Sequence, residues 1–177
     1  MKTEIRTLLT SRGTTMPGGD KIEQLHRIQD RWQSLDARRK QVAPSRVEED
    51  QKAAYTAFMA DPSPENEMQL AITADTNQML LRYATRHKAL TDYMKLVVCE
   101  AAELFKPFQE AASKVLHEEL EQRRQNKTTL YTESDPAVKQ CRAWVDEMSR
   151  AGSRLLNAHC GHYTPAELAK FFLEDGE

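Results

Sequence analysis

The absence of glycine over a long central interval is the feature that most constrains this fold. No glycine occurs from Asp20 to Ala151, a run of 132 residues in a chain of 177, where average usage of about 7% would place roughly nine. Antiparallel sheets use glycine in hairpin turns and bulges, and no Asn-Gly or Asp-Gly pair separates alternating apolar runs in this interval. The sequence therefore predicts an all-α fold.

The longest helical pattern runs from Ser63 to Asn126. Ser63 followed by Pro64 is typical of a helix N-cap with proline at the first helical position. One face recurs about every 3.6 residues, which is the α-helical period. That face consists of Met68, Ile72, Asp75, Met79, Tyr83, Arg86, Leu90, Tyr93, Val97, Ala101, Leu104, Phe108, Ala111 and Val115. We expect a long helix kinked at Pro107, and Thr91 with Asp92 could start a new helix if the segment breaks near Leu90.

Local start and stop signals predict further helices on both sides of this segment. Four pairs have the spacing of N-caps, capping boxes or a cap followed by proline. These are Asp20 with Glu23, Ser45 with Glu48, Asp135 with Pro136, and Thr164 with Glu167. Gly152 falls on an apolar face, where the missing side chain would let another helix approach closely, and Gly161 is placed just past a helix end. The polar run 127–135 is predicted to be a loop.

The predicted architecture is a helical bundle or an antiparallel coiled-coil hairpin built on the long helix. We divide the chain into a flexible N-terminal arm (1–19), a helical domain (20–160), and a short C-terminal helix with a tail (161–177). The arm ends in a run rich in glycine and proline, although Ile5, Leu8 and Leu9 could form one helical turn that docks on the domain.

Composition argues against several classes of partner. The net charge of −2 gives no overall field that would attract nucleic acid or an acidic membrane. No apolar run approaches the roughly 20 residues that a membrane span needs. Glu4 and Arg6 interrupt the region where a signal peptide would be apolar, and three scattered cysteines do not make a disulfide framework. We therefore expect a cytoplasmic protein that does not enter the membrane.

Motifs for catalysis are absent from the sequence. We find no Ser-His-Asp or Cys-His signature and no Gly-rich phosphate loop, so the sequence does not support an enzyme or predict a cofactor. Cys99 is interpreted as a small buried apolar side chain. Glu23 and His26 form a Glu-x-x-His pair, but di-iron bundles need two such pairs, and exposed polar neighbours explain this one.

A cluster of His159, Cys160 and His162 provides the best candidate metal ligands. Zinc binds these atom types, but a closed site needs four ligands, and no second motif supplies the fourth. A histidine at a helix C-terminus would also interact with the helix dipole, which explains the cluster without a metal.

The triplet Arg38, Arg39 and Lys40 is the candidate nucleic-acid-binding site. Cations at the end of a predicted helix also stabilise its dipole. Nucleic acid is accordingly an alternative partner rather than the expected one.

The preferred function is that of a non-enzymatic scaffold or adaptor that binds proteins and associates with itself, most simply as a homodimer. The candidate interface residues are Met79, Tyr83, Leu90, Val97, Leu104 and Phe108. Asp75 and Arg86, or Thr76 and His87 after a small rotation, could fix the register of such an association. The alternatives are a bundle that binds a metal or a small ligand, and a regulator associated with nucleic acid.

Overall fold

A computed structural model of the protein describes residues 1–126 and 134–173, which are mainly α-helical. This part of the chain contains seven α-helices and no strand, so the all-α prediction is confirmed. The helices are α1 (Thr3–Ser11), α2 (Gly19–Gln41), α3 (Val47–Ala60), α4 (Pro64–Thr73), α5 (Thr76–Gln125), α6 (Pro136–Ala158) and α7 (Pro165–Leu173). The coiled-coil alternative stays a prediction. Within the described residues, no helix is apolar over enough of its length to cross a bilayer.

Most of the predicted capping signals form. The backbone N–H of Asn66 donates to Ser63 Oγ at 3.4 Å, and Asp135 Oδ1 accepts from the first turn of α6. Thr164 and Glu167 make both hydrogen bonds of a capping box. The Ser45 prediction is wrong, because Pro44–Arg46 forms a 3₁₀ turn and α3 begins after it without a side-chain cap. Asp20 lies inside α2 rather than before it.

The predicted long helix is two helices. The break falls at Ala74 and Asp75, not near Leu90, and Asp75 Oδ1 caps α5 by accepting from Gln78 N–H at 3.0 Å. Asp75 is therefore a solvent-exposed cap and not a polar residue on a packed seam. From Thr76 the helix continues through Thr91 and Pro107 to Gln125. The predicted loop 127–135 lies largely outside the described residues.

The chain divides into two compact units. The large unit contains Met1–Arg31 and Lys95–Glu177, and the small unit contains Trp32–Met94. Helices α2 and α5 each contribute one part to both units. The domain boundaries expected from the sequence differ from this division and stay a prediction.

The large unit has an extensive apolar core. Within α5 the buried residues are Val97, Val98, Ala101, Ala102, Phe105, Phe108, Ala112, Leu116 and Leu120. Along the middle of this run the buried stripe lies one residue beyond the predicted one, because Phe105, Ala112 and Leu116 are buried in place of Leu104, Ala111 and Val115. Phe105 stacks on Phe172 of α7 with 4.2 Å between ring centroids.

Helix α1 contributes to the same core. Ile5 and Leu9 are buried, and Arg12, just after the helix, forms an ion pair with Glu119 of α5. Hydrogen bonds from Arg123 and then Arg12 lower the pKa of Glu119. The sequence led us to expect a flexible arm here, and its flexibility stays a prediction.

Two glycines of the large unit have the roles that their positions in the sequence suggested. Gly161 has φ +71° just past the end of α6. A Cβ on Gly152 would lie 2.8 Å from Gln109 Nε2 of α5, so the missing side chain permits this close approach.

Candidate functional site

Exposed apolar side chains are concentrated in the small unit. Nine large apolar side chains are exposed among the described residues, and seven of them lie between residues 32 and 94. We call these seven the exposed apolar set: Tyr55, Met59, Met68, Ile72, Leu80, Leu81 and Tyr93. Single exposed apolar residues are ordinary on protein surfaces, but their concentration in one region is typical of a binding surface.

The exposed apolar set follows helical spacing. Tyr55 and Met59 are four residues apart on α3, and Met68 and Ile72 are four apart on α4, so each pair shares one helix face. Leu81, on α5, is 69% exposed. The small unit therefore presents apolar faces as well as scattered apolar atoms.

The small unit has little core of its own. Its buried apolar side chains are Leu35, Val42, Val47, Met79 and Met94. Helix α3 buries only Val47, and α4 buries only Thr73. Isolated helices shorter than about 12–15 residues are marginal in water, so helices of 14 and 10 residues with one buried side chain each depend on other contacts.

Helices α3 and α4 are consecutive and pack against each other as a hairpin. Polar contacts position this α3–α4 hairpin against the start of α5. Gln51 Nε2 donates to Thr73 O at 2.7 Å and to Thr76 Oγ1 at 2.9 Å, which joins α3 to the α4–α5 junction. Tyr83 donates its phenolic proton to Asp50 Oδ2 at 2.6 Å. That hydrogen bond, with burial, raises the pKa of Tyr83. These bonds orient the helices without covering their apolar faces.

Charge is unevenly distributed along the small unit. Residues 47–75 carry seven acidic side chains and one basic one, whereas residues 76–88 carry three basic side chains and no acidic one. Glu65 and Glu67 on α4 make no ion pair within the described residues, and neither do Arg82 and Arg86 on α5. The acidic hairpin and the basic start of α5 thus both have charges available for a partner.

The six candidate interface residues separate by burial. Met79 of the small unit is buried, as are Val97 and Phe108 of the large unit, so their side chains serve the core of the chain itself. The other three, Tyr83, Leu90 and Leu104, are partly exposed. As an interface this set stays a prediction, and the exposed apolar set is the surface that the structure offers.

The basic triplet is partly neutralised by a buried carboxylate. Arg39 and Lys40 contact Asp36 at 2.5 and 2.8 Å, whereas Arg38 makes no ion pair within the described part of the chain. Lys40, and then Arg39, lower the pKa of Asp36 although burial raises it. Two of the three cations thus stabilise the end of α2.

The structure brings one candidate metal ligand against a residue that the sequence did not associate with it. His159 Nδ1 lies 3.0 Å from Cys99 Sγ, and Cys99 is half-buried rather than buried. Burial, and then Glu103, raise the pKa of this thiol. Cys160 and His162 are exposed. Within the described residues, no three such side chains converge as metal ligands would. No sequence signal could reveal the contact, because the two residues are 60 positions apart.

The Glu-x-x-His pair of α2 has a local explanation. Glu23 forms an ion pair with Arg27 one turn along α2, and both Glu23 and His26 are exposed. The pair therefore does not point into a core, as di-iron ligands would.

Comparison with protein-family models, with curated proteins and with solved structures finds no match for this chain.

Proposed function

We propose that this protein is a helical scaffold that acts through protein–protein contact and associates with itself through the small unit. The observation that carries the proposal is the concentration of the exposed apolar set in a unit that buries only five apolar side chains. Covering such faces removes apolar surface from water, which stabilises the covered state by about 25 cal/mol for each Å² buried. A standard interface buries about 800 Å² per partner.

A second copy is the occupant that the charges favour. In a two-fold dimer every contact occurs twice, because if one region of the first protomer contacts another region of the second, the reverse contact also forms. An acidic region on each protomer can therefore contact a basic region on the other. The acidic hairpin carries Met68 and Ile72 beside carboxylates that form no ion pair with a described residue, and the start of α5 carries Leu81 beside arginines of which the same is true. One chain therefore provides both complementary halves.

The absence of disulfides among Cys99, Cys141 and Cys160 fits a reducing cytoplasmic location for this assembly.

Sedimentation velocity tests the proposal. We expect a dimer at micromolar concentration for the wild type and a monomer for the double variant Met68→Gln/Ile72→Gln. Leu156→Gln is the matched control, because Leu156 is 73% exposed but belongs to the large unit. A wild type that remains monomeric at about 100 μM, roughly 100 times the concentration at which we expect a dimer, would contradict the proposal.

Charge reversal tests the choice of partner. Glu65→Arg/Glu67→Arg should weaken the dimer on the order of tenfold, since like charges would then face each other across the interface. Adding Arg82→Glu/Arg86→Glu should restore it. If the four-site variant stays as weak as the two-site variant, the two regions do not meet in the dimer.

A further inference from the structure

Four cationic side chains converge on one groove of the large unit. Lys2 precedes α1, Arg150 and Arg154 lie on α6, and Lys170 lies on α7. None of the four forms an ion pair with a described residue. The groove encloses about 670 Å³, which lies within the range of small-molecule sites.

Three helices position these cations from different directions. Arg150 and Arg154 are four residues apart, so they share a face of α6 and repel each other there. Helix α7 begins at a well-formed capping box and contacts α6, so Lys170 reaches the groove from a second helix. The chain as a whole carries a net charge of −2, so this clustering is a local feature and does not follow from a generally basic composition.

An aromatic wall gives the groove a fixed shape. The guanidinium of Arg154 lies over the ring of Phe171, 5.5 Å from its centroid. Phe171 packs edge-on against Phe172, which stacks on Phe105 in the core. Tyr163 also lines the groove. This chain of ring contacts connects Arg154 to the core and limits the conformations that its side chain can adopt.

Two carboxylates share the groove and leave an excess of two cations. Glu167 accepts a hydrogen bond from Thr164 N–H at 2.6 Å and so serves as the cap of α7. Glu147 is half-buried, forms no ion pair within the described residues, and lies one turn before Arg150 on α6. An anion that enters the groove would therefore meet four cationic side chains and two carboxylates, of which Glu167 also caps α7.

From this arrangement we propose that the α6–α7 groove binds an oligophosphate, a small anion with two or more linked phosphoryl groups. Arginine presents a planar fork of N–H donors that matches phosphate oxygens two at a time, and lysine adds a compact charge. The separation of the cations on three helices fits an extended chain of phosphates better than one compact anion. Free nucleotides and inositol polyphosphates share this chemistry. The site is independent of the self-association proposed above.

Isothermal titration with inorganic tripolyphosphate tests the inference on the full chain. We expect one site per protomer, and Arg150→Gln should weaken binding about tenfold, since a charge-assisted hydrogen bond is lost. Arg142→Gln is the matched control, because Arg142 is on the same helix, pairs with Asp146 at 3.4 Å, and does not line the groove. No binding at about 1 mM, the weak limit of useful affinities, or equal loss in both variants would overturn the proposal.

A gain of affinity provides a test that does not depend on damaging the fold. Glu147→Gln removes one of the two carboxylates in the groove and leaves the cap of α7 intact, so tripolyphosphate should bind several-fold more tightly. Unchanged or weaker binding by this variant would contradict the placement of the anion. Titrations with ATP and with inositol hexakisphosphate then distinguish the source, since tighter binding of ATP than of tripolyphosphate would indicate that the aromatic wall contacts a base.

Discussion

Helix α5 in the large unit and helix α4 in the small unit have different surroundings. From Val97 to Leu120, α5 buries a residue at nearly every third or fourth position, and α1, α6 and α7 contribute side chains to the same core. Helix α4 buries Thr73 alone and leaves Met68 and Ile72 exposed. Most helical stability in proteins comes from packing an apolar face. The large unit meets this requirement internally, whereas the small unit leaves apolar faces for a partner.

The largest effect should come from emptying the centre of the large unit. Phe105→Ala removes a ring that is 0% exposed and stacked on Phe172. We expect a loss of about 3–5 kcal/mol in the free energy of unfolding, measured by urea denaturation. Met68→Ala in the small unit should change it by less than about 0.5 kcal/mol at concentrations where the protein is monomeric. Similar losses in the two variants would contradict the difference in packing between the two units.

Two methionines provide a matched pair for the next largest effect. Met148 is 1% exposed in the large unit, and Met79 is 5% exposed in the small unit. Met148→Ala should cost about 4 kcal/mol and Met79→Ala about 2 kcal/mol, since fewer contacts are lost where the core is thin. Thermal unfolding of both variants would measure the difference. A larger loss at Met79 would show that the small unit has the more tightly packed core.

A pH dependence should follow from Asp36 in the small unit. The native environment lowers the pKa of Asp36, so the stabilisation is present above its unfolded value near 3.8 and is lost as the pH falls through the native value. Asp36→Asn should cost about 1–2 kcal/mol at pH 7. The difference in stability between the two proteins should shrink as the pH falls below about 3.8. An equal difference at pH 7 and pH 2 would exclude the ion pairs as its cause.

The smallest effect is expected at Tyr83. Tyr83→Phe removes the hydrogen bond to Asp50 and should cost about 1 kcal/mol or less. Because the native pKa of Tyr83 is raised, its contribution is present below pH 10 and is lost as the pH rises through the native value. Urea denaturation at pH 8 and at pH 11 checks both statements. No change at pH 8 would indicate that the polar contacts do not hold the hairpin.

The sequence could predict features whose physical cause is local. The caps at Ser63, Asp135 and Thr164 depend on hydrogen bonds within one turn, and the structure has them where the residues indicated. Asp75 and Asp92 are both aspartates next to a threonine, and both lie within the same helical repeat of apolar residues. The neighbouring residues alone could therefore not decide which of them begins a helix.

Contacts between residues that are far apart in the sequence could not be predicted from the sequence. The hydrogen bond between Cys99 and His159 depends on how α5 and the end of α6 pack, and the convergence of Lys2, Arg154 and Lys170 depends on three helices. The exposure of Met68 is also a tertiary property, because its place on an apolar stripe predicts burial. The structure was needed to show that Met68 and Ile72 on α4 are not covered by any of the described residues.

Hydrogen exchange at two protein concentrations tests the central claim most directly, because both units are observed in one molecule. If a second copy covers the small unit, amide protection over residues 47–81 should rise when the concentration is raised from about 1 to 100 μM, while protection over residues 97–120 stays constant. Protection of residues 47–81 that is independent of concentration, in a protein that remains monomeric, would contradict the account.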